Sequence, residues 1–260
     1  APAAADTGDS PHYVGRTVCS NCHGDQAARW TGSHHDLAMQ AATADTVLGN
    51  FDKVSVTHFG VTSTFFRKDG AFMVRTEGPD GTLHDYEIKY TFGVEPLQQY
   101  LVEFPGGRLQ ALGLAWDTRP ADEGGQRWFH LYPDEKIAYD DVLHWTRASQ
   151  NWNSMCAECH STGLLKNYDA ESRTFSTTWS EIDVACEACH GPLAGHVSDP
   201  DVGIPPELDG SALCASCHAA EAAKPAPVEK KEPKPKPVRA RTICQPTSFF
   251  SVLNIIVSSQ

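Results

Sequence analysis

The sequence predicts an α+β chain of largely irregular character. Short helices carry a repeated cysteine motif, and a small antiparallel β meander is inserted after the first repeat. Three observations predict it. Eight of the nine cysteines fall into four Cys-x-x-Cys-His pentads: Cys19/Cys22/His23, Cys156/Cys159/His160, Cys186/Cys189/His190 and Cys214/Cys217/His218. A long cysteine-free stretch after the first pentad reads as β-rich runs separated by turn signals. The apolar content, 40%, is low for a chain of 260 residues that must build its core from side chains alone.

The pentad is the attachment signature of c-type haem. Its two thiols add to the two vinyl groups of a porphyrin, and the two-residue gap lets both sulfurs reach one edge. The histidine that follows lies under the iron and supplies the proximal nitrogen. A zinc site pairs cysteines in the same way but has no reason to place His after every pair. A redox Cys-x-x-Cys usually occurs once, in a thioredoxin-like setting. The spacing also rejects a disulfide framework, the first reading of a cysteine-rich secreted chain. Four pentads imply four covalently attached haem c groups, one per 65 residues. Their wide apolar faces then supply much of the core. The predicted fold is one of short helices around four closely packed haems.

Taken in order, residues 1–50 form the first-haem segment, with Asp25–Trp30 expected as a short helix capped by Asp25. Residues 51–118 form the β-rich insertion. Its predicted strands are 61–66, 71–76 and 82–90, with turns at Lys68-Asp69-Gly70 and Gly78-Pro79-Asp80-Gly81. It is expected to cover a haem edge or, on a sharper reading, to offer a docking face to a partner. Residues 119–223 form the three-haem region, opening with loop and helix rich in Trp and Tyr to about residue 150. Successive first cysteines there lie 30 and 28 residues apart, too close for an independent domain around each haem. Residues 224–260 begin with a Pro/Lys-rich linker and end in a short apolar, β-prone run, 247–257, with Cys244 expected as a free thiol. Residues 224–241 carry seven Lys/Arg against two acidic residues, which leaves 31 acidic and 14 basic residues, a net −17, on the rest.

Each six-coordinate haem needs a distal ligand, and eight histidines remain beyond the proximal four. The expected distal set is His35, His58, His144 and His196, with His34 and His130 in reserve. His196 follows His190 by six residues and cannot reach the far face of the same haem, so it should serve a neighbour. His144 is expected in a helix and His58 in the first strand of the β segment. Met39, Met73 and Met155 are disfavoured as axial ligands.

These residues resemble the multihaem cytochromes c, distantly those nitrification-type tetrahaem members that often carry tetratricopeptide repeats after the haems. The resemblance rests on Tyr13–His23, Trp30–Met39, Phe92–Leu101, Gly124–Tyr132 and Cys156–Thr162, and on the Cys186–Pro192 block with His196. It covers roughly residues 11–220. The Trp-x-x-Ser-x-His pattern favours His35 over His34. No repeat region follows the haems in this sequence, so the partner binding those repeats imply is not carried over.

The expected function is electron transfer through bis-histidine haems, in the periplasm or outside the cell, because haem c is attached beyond the cytoplasm. The start Ala1-Pro2-Ala3 reads as a mature terminus after removal of a signal peptide. No run reaches the roughly 20 apolar residues of a membrane-spanning helix. Redox proteins are the expected partners, without nucleic acid and without a membrane span. One version adds identical subunits in a conducting filament, with His12 as a ligand given to a neighbour. The alternative is an oxidoreductase with one open haem acting on a small nitrogen or sulfur compound. No pentad departs from Cys-x-x-Cys-His, so the sequence offers no positive sign of a catalytic haem.

Overall fold

The computed structural model describes residues 12–203 and 214–218. Its contacts divide the chain into two units, Ala1–Pro206 and Glu207–Gln260. The expectations for the Pro/Lys-rich linker, Cys244 and the 247–257 strand lie outside the described residues.

The β part is far larger than the sequence predicts. Nine strands form one antiparallel sheet: β1 (Met39–Ala41), β2 (Val54–His58), β3 (Val61–Lys68), β4 (Ala71–Glu77), β5 (Leu83–Phe92), β6 (Leu97–Phe104), β7 (Arg108–Ala111), β8 (Leu114–Asp117) and β9 (Arg127–His130). The order is β2-β3-β4-β5-β6-β8-β9, with β1 on β5 and β7 on β6. Two-residue turns join β2 to β3 and β3 to β4. Phe59-Gly60 and Asp69-Gly70 all have positive φ, the geometry whose twist matches that of the flanking strands. β5 is long enough to change partners. Its first half pairs with β4, a bulge falls between Ile88 and Tyr90, and its last residues lie between β1 and β6.

One face of this sheet builds an apolar core from side chains alone. Phe51, Phe65, Phe72, Val74, Tyr100, Val102, Phe104, Trp116, Trp128 and Trp145 belong to a single buried cluster. Strands β2 and β3 at one end of the order meet β9 at the other. Phe65 stacks on Trp128 at 3.4 Å and His58 on His130 at 3.8 Å, each pair within 4° of parallel. The sheet is therefore nearly closed.

β6 is buried on both faces. Tyr100 and Val102 face the cluster, whereas Gln99 and Leu101 share the opposite face with their cross-strand partners Phe92 and Tyr90. Gln98 is satisfied inside: its carboxamide accepts from the Leu48 amide and the Tyr100 hydroxyl and donates to the Thr46 carbonyl.

The helices are short: α1 (Arg16–Ser20), α2 (Gly24–Trp30), α3 (Trp152–Met155), α4 (Ala157–His160), α5 (Cys186–His190) and α6 (Ala194–Ser198). Residues 214–218 are helical as well. The cap of α2 is His23, with no side-chain bond, and Asp25 lies inside the first turn, so the expected Asp25 cap is corrected. The stretch 119–150 holds β9 and two 3₁₀ turns, and His144 sits in a bend rather than a helix. A small hairpin, β10 (Tyr168–Asp169) with β11 (Thr174–Phe175), leans on the β6–β7 turn. There Gly107, with φ 70°, meets the Phe175 carbonyl with no room for a Cβ. Among the described residues no helix is long and apolar enough to cross a membrane.

Candidate haem centres

A helical turn explains the pentad's spacing. Residues i, i+3 and i+4 share one helix face, so two cysteines and a histidine project together. In the first pentad the Cys22 and His23 amides both donate to the Cys19 carbonyl, at 3.2 and 2.9 Å. Cys159 donates to the Cys156 carbonyl at 3.1 Å, and α5 holds the whole third pentad, Cys186, Cys189 and His190.

The protein encloses the pentad cysteines to different extents. Cys156 is buried, and Cys19, Cys159, Cys186 and Cys217 are half-buried, but Cys22, Cys189 and Cys214 are exposed. His23 and His190, which follow Cys22 and Cys189, are exposed too. The reason is geometric. A helix of five residues can bury only one side, and in α5 the buried side belongs to Glu187, which turns Cys189 and His190 outward. A thiol that must reach the edge of a porphyrin has to leave its own helix on that outer face.

The first and third pentads lie side by side. The Cys19 thiol hydrogen-bonds to Cys186. Burial pushes it up to about 11, with Cys186 and Glu187 adding to the effect. Glu187, inside the third pentad, is 2% exposed. Its carboxylate accepts from the Val14 amide at 2.9 Å, from Gly15 at 2.7 Å and from Leu193 at 2.9 Å. Leu193 is the cap of α6, which carries His196. One buried carboxylate thus joins the entry to α1, α5 and α6.

The consequence is a matched pair of imidazoles. The His23 and His196 rings stand 6.3 Å apart, 21° from parallel. A metal–nitrogen bond of about 2 Å on each side, with about 1 Å from nitrogen to ring centre, sets two trans imidazoles roughly 6 Å apart. His196 Nδ1 lies 3.2 Å from the Val202 carbonyl, which accepts its N–H and leaves Nε2 as the free lone pair. His35 is tied to the same neighbourhood, since its carbonyl accepts from the Val184 amide at 3.2 Å, two residues before Cys186. Trp30 Nε1 donates to the Val184 carbonyl.

Arg16 fastens this assembly by charge. It meets Glu181 at 2.7 Å, Asp183 at 2.9 Å and Asp36 at 3.2 Å, and its guanidinium lies 4.9 Å from the centre of the Trp30 ring. Burial pushes Asp183 up to about 6 against the opposing pull of Arg16.

The second pentad packs on the outer face of β5 and β6. The His160 ring lies edge-on to Phe92 at 5.6 Å, and its Nδ1 donates to the Ala38 carbonyl at 3.1 Å, again leaving Nε2 free. Burial holds His160 below the usual histidine range. A network of buried amides fixes the approach to this pentad. Asn153 accepts from the Leu109 amide and donates to Gly107 and Thr177, while Asn151 caps α3 and bonds Gln110.

In the first and third pentads, then, cysteines and histidine lie on one helical turn, while in the second Cys156 stands at the non-helical junction of α3 and α4. Two proximal rings have settled surroundings, and one has a second imidazole at trans spacing. These residues fit haem c.

The family "Cytochrome c554 and c-prime" matches residues 18–73 and 126–191, stretches that include the first pentad and the second and third. The chain belongs to the multihaem cytochromes c. Among solved structures, the outer cell wall cytochrome OcwA shares its fold at a TM-score of 0.52 and 21% identity, over 79% of this chain and 37% of that one. An undecahaem cytochrome from the S-layer of Carboxydothermus ferrireducens aligns at 0.47 and 21%, over 80% of this chain and 26% of that one. This cytochrome therefore spans little more than a third of OcwA's length. No curated protein matches it.

The remaining candidate ligands of the cytochrome sit elsewhere. His58, stacked on His130, has its Nε2 3.2 Å from the Pro133 carbonyl. His130 accepts from the Tyr132 amide, and burial, then His58, drives it down to about 3. His144 bonds Thr146 at 2.9 Å, lies 3.7 Å from Glu77, and is lowered to about 4 by burial and then Arg147. The partners of these three belong to the sheet and its loops. His34 is exposed, 3.7 Å from Glu95. Cys214, Cys217 and His218 keep the helical pentad form. Sequence reading misses Arg16, Asp183 and Glu187, because a charged residue beside a pentad looks solvated. The one available signal is the acidic residue inside Cys186-Glu-Ala-Cys-His, facing the Gly191-Pro192 turn.

Proposed function

We propose that this cytochrome carries electrons through four six-coordinate bis-histidine haems outside the cytoplasm. The observation that carries the proposal is the His23–His196 pair at 6.3 Å and 21°, with His196 Nδ1 engaged by Val202. In this reading the first haem takes His23 and His196, and the third, bonded through Cys186 and Cys189, takes His190 and His35. Each of the two segments then supplies a proximal ligand to its own haem and a distal ligand to the other's. Such reciprocal ligation packs two haems against each other and links them without a catalytic opening, since a bis-histidine iron offers substrate no position. The location follows from the chemistry of haem c attachment and accords with the likeness to an outer cell wall cytochrome. His58 and His144 remain proposed distal ligands.

Electron paramagnetic resonance of the oxidised protein tests it, repeated after adding cyanide. Four low-spin haems indifferent to cyanide are expected, and His196→Ala should turn one of them high-spin and cyanide-sensitive. A high-spin haem in the unaltered protein would overturn the proposal in favour of an oxidoreductase with an open site. An unchanged spectrum in His196→Ala would remove His196 from the ligand set.

A further inference from the structure

Two pentads hold an acidic residue between their cysteines: Glu158 in Cys156-Ala-Glu-Cys159 and Glu187 in Cys186-Glu-Ala-Cys189. The fold treats them in opposite ways. The Glu158 side chain is 78% exposed and pairs with Lys166 at 3.0 Å. Glu187 is 2% exposed, and each of its hydrogen bonds comes from a backbone amide.

Two of those amides are consecutive. Val14 and Gly15 both donate to Oε2, at 2.9 and 2.7 Å, across a Gly15 φ of 82°. Leu193 donates to Oε1 at 2.9 Å. Successive amides turned to one point form a concavity suited to an anion. Both oxygens accept and neither donates, the pattern of a carboxylate. The nearby cation, Arg16, is committed to Glu181, Asp183 and Asp36. Among the described residues no Lys, Arg or His pairs with Glu187. The amide dipoles hold the charge in place without cancelling it, and burial keeps water from screening it.

We propose that Glu187 is a tuning residue whose buried negative charge lowers the reduction potentials of the first and third haems. The proposal rests on the haem-carrier reading and deepens it. Glu187 adjoins Cys186 in sequence, and its charge also acts on the Cys19 thiol of the first pentad. Cys19 and Cys186 are themselves hydrogen-bonded, so one carboxylate serves the attachment points of both haems.

The sign follows from the iron. Ferric haem carries one more positive charge than ferrous haem, so a fixed negative charge favours the oxidised form and makes reduction harder. At an effective dielectric of about 20, a unit charge about 10 Å away changes an equilibrium roughly tenfold. A tenfold change is about 59 mV for a one-electron couple. Glu158 carries the same formal charge, but solvent and Lys166 screen it, and it should count for little. Electrons are thus biased away from the first and third haems.

The experiment uses the full holoprotein with Glu187→Gln, Glu187→Asp and Glu158→Gln. In a spectroelectrochemical titration Glu187→Gln should raise two midpoint potentials, each by roughly a tenfold change in the reduction equilibrium. The other two should hold, and the rise should persist at high salt, because a buried charge is poorly screened. Glu187→Asp keeps the charge and should stay near the original potentials, and Glu158→Gln should move none. Unchanged potentials in Glu187→Gln would overturn the assignment while leaving the carrier reading intact. So would an equal rise in Glu187→Asp or in Glu158→Gln, the first marking a structural effect and the second a diffuse one. Loss of a low-spin signal in Glu187→Gln would make Glu187 a joint alone and overturn the assignment as well. Absence of haem at Cys19, Cys22, Cys186 and Cys189 in the unaltered protein, read by mass spectrometry, would instead sink the carrier reading itself.

Discussion

The sheet and the pentad-bearing segments of this cytochrome are held together in different ways. The sheet has thirteen residues in one buried cluster, seven of them Phe or Trp, with rings stacked or edge-on around Phe51 and Trp128. By contrast α1, α2 and α6 bury no residue at all, and α5 buries only Glu187 while Cys189 stays exposed. Their joints are polar: Arg16 with three acids, Glu187 with three backbone amides, Trp30 with Val184. Polar joints orient but stabilise little, about 0.5–1.5 kcal/mol net for each hydrogen bond. Apolar burial at about 25 cal/mol per Å² supports a domain. The sheet thus has a core of its own side chains, and the helical part is a frame held by polar joints.

The comparison is broken most severely by preventing haem attachment. With the pentad cysteines replaced by alanine, hydrogen exchange should reach full rates across residues 12–37 and 152–203. The strands from Val54 to His130 should stay protected. Uniform loss of protection would show that the sheet does not stand by itself.

A smaller effect isolates one polar joint. Glu187→Ala leaves the Val14, Gly15 and Leu193 amides without their acceptor, at about 1 kcal/mol or more each. Denaturant unfolding should show a loss of about 3 kcal/mol, and the low-spin signal assigned to His23 and His196 should broaden as α6 loosens. Glu187→Gln, which keeps one acceptor oxygen, should recover about half of the stability. If Glu187→Ala unfolds at the wild-type midpoint, the carboxylate is not the joint described.

How much of this is readable in advance depends on whether a signal is local. The pentads are local, because one helical turn aligns Cys19, Cys22 and His23 whatever surrounds them. Their burial is not, and the outward turn of Cys189 depends on where Glu187 finds its amides. The β2–β5 meander is nearly local, since Asp69-Gly70 and the Gly78–Gly81 run punctuate it. Strand β6 is different. It is buried on both faces, so Leu97-Gln-Gln-Tyr-Leu-Val102 lacks the alternation that marks a half-exposed strand, and its glutamines look like surface. The helix expected around His144 fails for a related reason. Trp145 and Leu143 suggest an apolar face, but Trp145 inserts into the sheet's core by itself while its indole donates to the Glu77 carbonyl. The meeting of residues 14–36 with residues 181–196 is long-range, and only His196, excluded from its own haem by spacing, pointed toward it.

The finest test of the polar frame is its response to pH. Asp183 has one oxygen on Arg16 and the other, Oδ1, buried without a partner. Its folded-state value near 6, raised by burial from 3.8, means the native state holds a proton that the unfolded chain has already released between those values. Linkage then makes stability greatest below about pH 4 with respect to this group, and makes it fall as pH rises through about 6. The groups facing Asp183 are Arg16, Glu181 and Asp36. Arg16 opposes the effect, and the two acids reinforce it. The decline should amount to about 1–3 kcal/mol across the window. Asp183→Asn should flatten it, because Asn stays neutral while Arg16 keeps Glu181 and Asp36. Denaturant midpoints measured from pH 4 to 7 decide the matter. If both proteins lose stability with the same slope, the proton resides elsewhere, and the frame around Arg16 is a set of ordinary ion pairs.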